Sequence, residues 1–550
     1  MKKLLKLLLS FSYGTGLIII TATSVSCSFG KTPIIKVQTD YEIEGPYTEA
    51  INEVNRKFEE LGVSFRAEKT IIPLGDNIGN INKKGIRERS IPDVFSIKSD
   101  QYNTQIQQGN ILELNDVIKK YYATNKEDQD VYQIKYDSTN DKLIDGNTSW
   151  KSYNRNGIYY NVPASIENIL WVYNARDLTI NTDEGYMLYN GKKYDLTIDG
   201  ITKLNTSENS SGQPIVSTKI MNSYETGAPF LNIIVNRHEE EIKKAALNNK
   251  ASVIWNKSQT EDSRDKSDYD SIFENKNCIR DLNDVAQQII NWSLSTGNDL
   301  NESLTDIATS FAKQIELIQI GQTSMSILQP VSIPAYTAYL TQADKNKGAP
   351  LKALSLGDIR VKVGGEESKQ ELAKLSGFQI GSGMGIKTTI DKISETTNNG
   401  EEMTKKDAAA MIIRELTQPR YSAQWVKLLG RYSPYEKNKI EAQKYLEEEN
   451  TILSNVLLEG MERVYSDYQD YGATGIDKSI TFSSDETLID IYWDTYHDSV
   501  RLWHNYQASP QKPNLDLNAT DANGKSFKLN PLTYYFINQW KHFKELYVFG

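Results

Sequence analysis

Two cysteines in 550 residues, Cys27 at the end of an apolar leader and Cys278 alone in the body, leave no internal disulfide to brace this fold if Cys27 is chemically occupied. Packing must then hold the chain together. At 39% hydrophobic content and this length, there is apolar material for two or three domains. A membrane span needs about 20 consecutive apolar residues, and no stretch after the leader reaches that.

The leader carries Lys2, Lys3 and Lys6 among leucines, an apolar run through Leu17 and Ile20, and then small residues. This is the layout of a secretory signal peptide, and the polar break at 10–16 argues against a membrane helix. Ser24-Val25-Ser26-Cys27 is similar to a lipobox, with Ser24 where leucine is usual. In such a box small residues admit the lipoprotein signal peptidase and the cysteine takes a diacylglyceryl group, and two acyl chains anchor stably where one does not. The expectation is a signal peptide over 1–26, a lipidated tether over 27–32 and a body held on the outer face of the plasma membrane. The alternatives are an uncleaved helix and simple secretion. Loss of Lys2, Lys3 and Lys6 takes the formal net charge from -10 to -13, which argues against nucleic-acid binding through a basic face.

Along the body, 33–37 reads as a strand, 40–46 as a turn, 47–61 as a helix and 63–67 as a second strand, a strand-helix-strand unit. Pro46 suits the first turn of that helix, whose free amides face the preceding loop. Residues 92–97 read as a buried strand, 98–100 as a polar turn and 102–108 as a helix closed by Gly109. The middle, 181–281, is a polar insertion with an Asn190-Gly191 turn and a charge-rich surface loop at 256–266. Segments 281–293 and 304–317 look helical, 323–328 reads as a strand, 330–334 breaks the pattern, and 381–385 is a glycine-rich punctuation point. Helices dominate from Lys405, over 408–416, 423–429, 437–449 and 488–506.

Enzyme motifs are absent in workable form. His238 is followed by Ile242 where a zinc-protease helix needs a second histidine, and the glycine-to-lysine spacing of 381–389 does not make a phosphate loop. The four histidines read as surface or structural. No catalytic group, cofactor or metal site is expected.

Three ordered stretches carry a resemblance. The first is Pro92-Asp93-Val94-Phe95 with its helix up to Gly109. The second is Gly157-Ile158-Tyr159-Tyr160-Asn161-Val162-Pro163, then Glu167, then Leu170-Trp171-Val172-Tyr173-Asn174. The third runs from Thr323-Ser324-Met325-Ser326-Ile327 through Gly377–Gly385 to Ala423-Gln424-Trp425 and Gly430-Arg431-Tyr432-Ser433-Pro434. Together, over roughly 34–435, they are similar to the extracellular solute-binding proteins of ABC importers of the maltodextrin-binding type. The resemblance implies an α/β fold of two lobes, the type II periplasmic-binding-protein kind, with mixed sheets in each lobe joined by hinge strands and a helical C-terminal third. The approximate boundaries are 33–163 with 330–385 for one lobe and 164–329 with 386–435 for the other. The region 436–550 completes or extends the lobes.

It further implies closure on a bound solute by hinge motion, with ABC permease subunits and a small-molecule solute, a carbohydrate or related polyol, as partners. Asp100 matches a cleft-edge carboxylate and Glu167 the hinge carboxylate, able to accept from sugar hydroxyls. The other readings are a helix N-cap for Asp100 and a hinge salt bridge for Glu167. Asp40, Tyr41 and Glu44 are placed by the first loop. Ile97 and Val331 stand where the family has stacking tryptophans, which points away from maltodextrin itself. Tyr336, Tyr339, Trp171 and Trp493 are the candidate replacements. A second hypothesis is a surface lipoprotein on the same scaffold that binds a macromolecule. A third, a secreted hydrolase, requires paired carboxyls about 5 to 9 Å apart.

Overall fold

A computed structural model describes residues 32–39, 44–73, 76–98, 101–208, 214–217, 223–238, 255–257, 269–271, 276–295, 307–337, 340, 347–364, 371–375, 380–471, 487–521 and 523–549. Two sheets organise it. The first uses β1 (Ile34–Thr39), β2 (Arg66–Ile71), β3 (Val94–Lys98), β4 (Asn161–Glu167) and β9 (Ile380–Ile386), in the order β2-β1-β3-β9-β4. The second uses β5 (Leu170–Asn174), β6 (Val216–Ser217), β7 (Met325–Leu328) and β8 (Leu351–Ser355), in the order β6-β7-β5-β8. The helices needed below are α1 (Glu44–Leu61), α2 (Tyr102–Gln107), α3 (Lys276–Ser295), α4 (Ile307–Gln319), α5 (Ser332–Thr337), α6 (Lys405–Leu416), α7 (Pro419–Leu429), α8 (Glu436–Glu449), α9 (Ile452–Tyr471), α10 (Thr487–Ala508) and α11 (Pro531–Phe549).

The expected strand-helix-strand unit is β1-α1-β2, with β1 and β2 parallel from Ile34↔Arg66 to Thr39↔Ile71. Helix α1 buries Tyr47, Ala50, Ile51, Val54 and Phe58, a stripe at helical spacing that faces the sheet. In β5 all five side chains are buried. Its sequence, Leu-Trp-Val-Tyr-Asn, therefore shows no alternation, as befits a central strand covered on both faces.

The glycine-rich 381–385 segment, expected as punctuation before helices, is instead the interior of β9, hydrogen-bonded to β3 on one side and β4 on the other. A Cβ at Gly383 would lie 2.2 Å from the Asn161 side chain. Glycine here admits a neighbouring side chain rather than ending an element.

Two further expectations shift. β8, expected with the first lobe, pairs with β5 in the second sheet. Helices α6 and α7, expected with the second, place Ile412, Ile413 and Tyr421 in the core around Val37, Phe58, Trp150 and Met384. The second core gathers Trp171, Leu204, Trp292 and Met325 and is completed by Trp503 of α10 and Trp540 of α11. A third joins Ile166, Leu170, Val172 and Leu328 with Tyr432 and with Leu446, Val456 and Met461 of α8 and α9. The C-terminal helices α8 to α11 thus contribute to the second and third cores. Within the polar middle, Asn190 and Gly191 both adopt positive φ, 49° and 76°, and close the antiparallel pair 186–189 with 192–195 as the Asn-Gly motif predicts. Residues 258–266 of the charge-rich loop lie outside the described residues.

The N-terminus of α6 carries a reciprocal cap. Thr404 Oγ1 accepts from the Asp407 amide at 3.0 Å, and Asp407 Oδ2 accepts from the Thr404 amide at 2.9 Å. Burial alone would raise the Asp407 pKa, but the Thr404 hydrogen bonds and Lys120 at 3.1 Å outweigh it and hold the carboxyl below its ordinary value. Asp407→Ala is expected to cost about 1 kcal/mol at neutral pH in a urea titration. A depressed folded pKa contributes stability that is present above the unfolded value of about 3.9 and lost as pH falls through the lower folded value. The gap between the variant and the native protein should therefore close in that acid range. A gap unchanged by acid would refute the carboxylate's role.

Candidate functional site

β3 runs parallel to β1, and β9 runs antiparallel to both β3 and β4, so β1, β3 and β4 point the same way. Their last residues, Thr39, Lys98 and Glu167, share one edge of the first sheet. In the second sheet β6, β7 and β8 are parallel to one another, and Leu328 and Ser355, which end β7 and β8, both pair with Leu170 at the start of β5. The carboxyl ends of both sheets therefore meet at the two-residue crossover 168–169. Open α/β sheets hold ligands outside such ends.

Register then decides which side chains line the crossover. Ile166 and Tyr432 exchange both backbone hydrogen bonds, at 2.7 and 3.2 Å. Glu167 and Arg431 are therefore the next pair along, directly opposite each other and on the same face. Ile166 and Tyr432 point the other way, into the third core under α9, where they are 1% and 0% exposed. Burial pushes the Tyr432 phenol well above its usual pKa, and its hydroxyl donates to the Leu457 carbonyl at 3.2 Å. One face of the crossover is sealed by helices. The other presents Glu167 Oε1 at 2.7 Å from Arg431 Nε, with side chains 19% and 16% exposed. Beside them Ser165 and Ser382 join hydroxyls at 2.7 Å.

The crossover is also tied to α9. Asp467 accepts from Ser355 Oγ at 2.6 Å and from Asn168 Nδ2 at 3.2 Å. One carboxylate thus links the helical layer, the end of β8 and the connection between sheets.

Of the residues expected at the site, Glu167 lies at the crossover and takes the salt-bridge reading, with Arg431 as the partner that the sequence did not nominate. Glu44 opens α1 at the same edge, its side chain outside the described atoms. Cys27, Asp40, Tyr41, Asp100 and Tyr339 lie outside the described residues, as does the Trp493 side chain on α10. Tyr336 is half-buried at the end of α5 against the third core. Trp171 is not at the edge. It is fully buried in the second core, 5.6 Å from the Trp292 ring, because a central strand points alternate side chains into the layers above and below. Ile97, at the expected tryptophan position, is fully buried with Phe95 and Tyr102, and Val331 is half-buried before α5. Among the described residues no group of three His, Cys, Asp or Glu side chains could hold a metal ion, and no helix is long and apolar enough to cross a membrane.

No protein-family model matches the chain, and no curated protein matches it. Solved structures do. The maltose-binding periplasmic protein MalE from Listeria monocytogenes in complex with maltose superposes with a TM-score of 0.51 at 11% identity, over 94% of this chain and 99% of that one. A protein of xylan utilization from Caldanaerobius polysaccharolyticus gives 0.52 at 13% identity, over 93% and 99%. UgpB from Mycobacterium tuberculosis in complex with glycerophosphocholine gives 0.51 at 13%, over 94% and 98%. The chain has the two-lobed α/β fold of the extracellular solute-binding proteins of ABC importers, family 1.

Proposed function

We propose that this protein is a membrane-anchored substrate-binding lipoprotein of an ABC importer. It captures a sugar, oligosaccharide or related polyol in the cleft between its lobes and delivers it to the permease, while Cys27, acylated, holds it to the outer face of the plasma membrane. The observation that carries this reading is the meeting of both sheets' carboxyl ends at the 168–169 crossover, with a carboxylate and a guanidinium on the unsealed face. Binding in such a cleft needs no catalytic group, and closure of the lobes over a solute is a hinge motion.

A thermal-shift screen of the full chain against sugars, oligosaccharides, glycerol phosphates, nucleosides and peptides should give a melting-temperature rise of several degrees with one polyol class, since binding to the native state stabilises by about 2.7 kcal/mol at a hundredfold excess over Kd. In parallel, Cys27→Ser should move the protein from the membrane fraction to the soluble one. A screen that shows no shift with any small solute would transfer the reading to capture of a macromolecule at the cell surface.

A further inference from the structure

We infer that the cleft floor is built for an anionic solute, one that carries a phosphate or carboxylate beside hydroxyls, and that Arg431 is the residue that selects it. This rests on the solute-binding reading and deepens it.

Arg431 uses its Nε to meet Glu167 Oε1 at 2.7 Å, and its two terminal amino groups have no partner among the described residues. A guanidinium carries five N–H donors in a planar fork that matches carboxylate and phosphate oxygens bidentately. A latch built only to hold the hinge would turn the two-pronged edge of that fork to Glu167. Here the prongs are left over, on a side chain only 16% exposed, where unmet donors are costly. The backbone explains why they stay available. Pairing of Ile166 with Tyr432 forces Arg431 opposite Glu167, and the carboxylate lies nearest to Nε rather than to the terminal nitrogens.

A second cation shares the edge. Lys98 ends β3, its half-buried side chain has no partner among the described residues, and it pairs in register with Ser382, which in turn pairs with Ser165. Paired residues on neighbouring strands share a face. Lys98, Ser382, Ser165, Glu167 and Arg431 therefore lie on one side of the sheet at its carboxyl edge, in a chain whose formal net charge is -10. Two cations flank two hydroxyls and one carboxylate. Lys98 and Arg431 stand three strand spacings apart, about 14 Å, so Arg431 is the cation placed to meet an anionic group beside Glu167, Lys98 adds positive potential along the edge, and the serines and Glu167 suit the neighbouring hydroxyls. Ile97 is buried and Val331 is aliphatic, so ring stacking on neutral sugar faces is not what these positions offer.

Calorimetric titration of the full chain with glucose, glucose 6-phosphate and glucuronate, and with glycerol and glycerol 3-phosphate, tests this. At least one anionic member should bind tenfold or more tightly than its neutral partner, and the preference should weaken as salt is raised. Arg431→Gln should bring the ratio within threefold, Arg431→Lys should retain part of it, and Lys98→Ala, away from the hinge pair, should reduce it without loss of fold. Equal or tighter binding of the neutral partners overturns the inference and leaves the solute-binding reading standing. A preference that survives in Arg431→Gln overturns the assignment of the residue. Absence of binding by every solute in this set and in the thermal screen overturns both.

Discussion

Gly430→Ala is expected to destabilise the fold by about 3 kcal/mol, since a left-handed conformation costs a non-glycine residue about 1 to 2 kcal/mol and forced overpacking about 1 to 3 more. Gly430 ends α7 with φ of 60°, and a Cβ there would stand 2.5 Å from the carbonyl carbon of Pro330 and 2.7 Å from the amide nitrogen of Val331. These are backbone atoms of the turn between β7 and α5 in the second lobe. They cannot rotate aside as a side chain would. The substitution would push α7, which belongs to the first core, away from that turn and shift Arg431, the next residue, off Glu167. A lower denaturant midpoint should be accompanied by weaker solute binding. A loss under 0.5 kcal/mol would mean that the two lobes do not approach there as described.

Trp171→Ala is expected to cost about 3 to 5 kcal/mol. The indole is fully buried in β5, packed on Trp292, in the core that α10 and α11 complete. Trp171→Phe separates the structural role from a ligand role, because it keeps most of the apolar volume while removing the indole. It should lower the melting temperature and leave the solute affinity within twofold. A tenfold loss of affinity with unchanged stability would restore the tryptophan to the site.

The difference between Glu167 and Trp171 shows what could be read along the chain. Both sit in the run that resembles a hinge crossover, four residues apart, and both were candidate ligand residues. Glu167 closes a strand at the sheet's edge and has an ion partner, whereas Trp171 lies inside a strand covered on both faces. A fully buried strand has no alternation, so nothing in Leu170-Trp171-Val172-Tyr173-Asn174 marks which side chain could meet a solute. Arg431 was visible only as part of a turn after α7. Its pairing with a residue 264 positions earlier comes from one isolated bridge, Ile166 with Tyr432, which has no local signature. Gly383 misled in the opposite direction, because glycine is commoner in turns and its reason here is a side chain from the neighbouring strand.

The resemblance supplied the two lobes and β5 as a strand, while local chemistry in the chain was enough for α1, whose buried stripe recurs at helical spacing, for the Asn190-Gly191 turn, and for β1 and β3 as strands. Each of these depends on neighbours within about one element. Packing in three dimensions chose the rest: β8 joined the second sheet and α6 and α7 the first core, α8 and α9 sealed one face of the crossover, and Glu167 was set against Arg431. These follow from which apolar faces found each other and from strand register, both of which couple residues hundreds of positions apart. Periodicity along the chain cannot report such pairings, since it records which face of an element is apolar and not which other element will cover it.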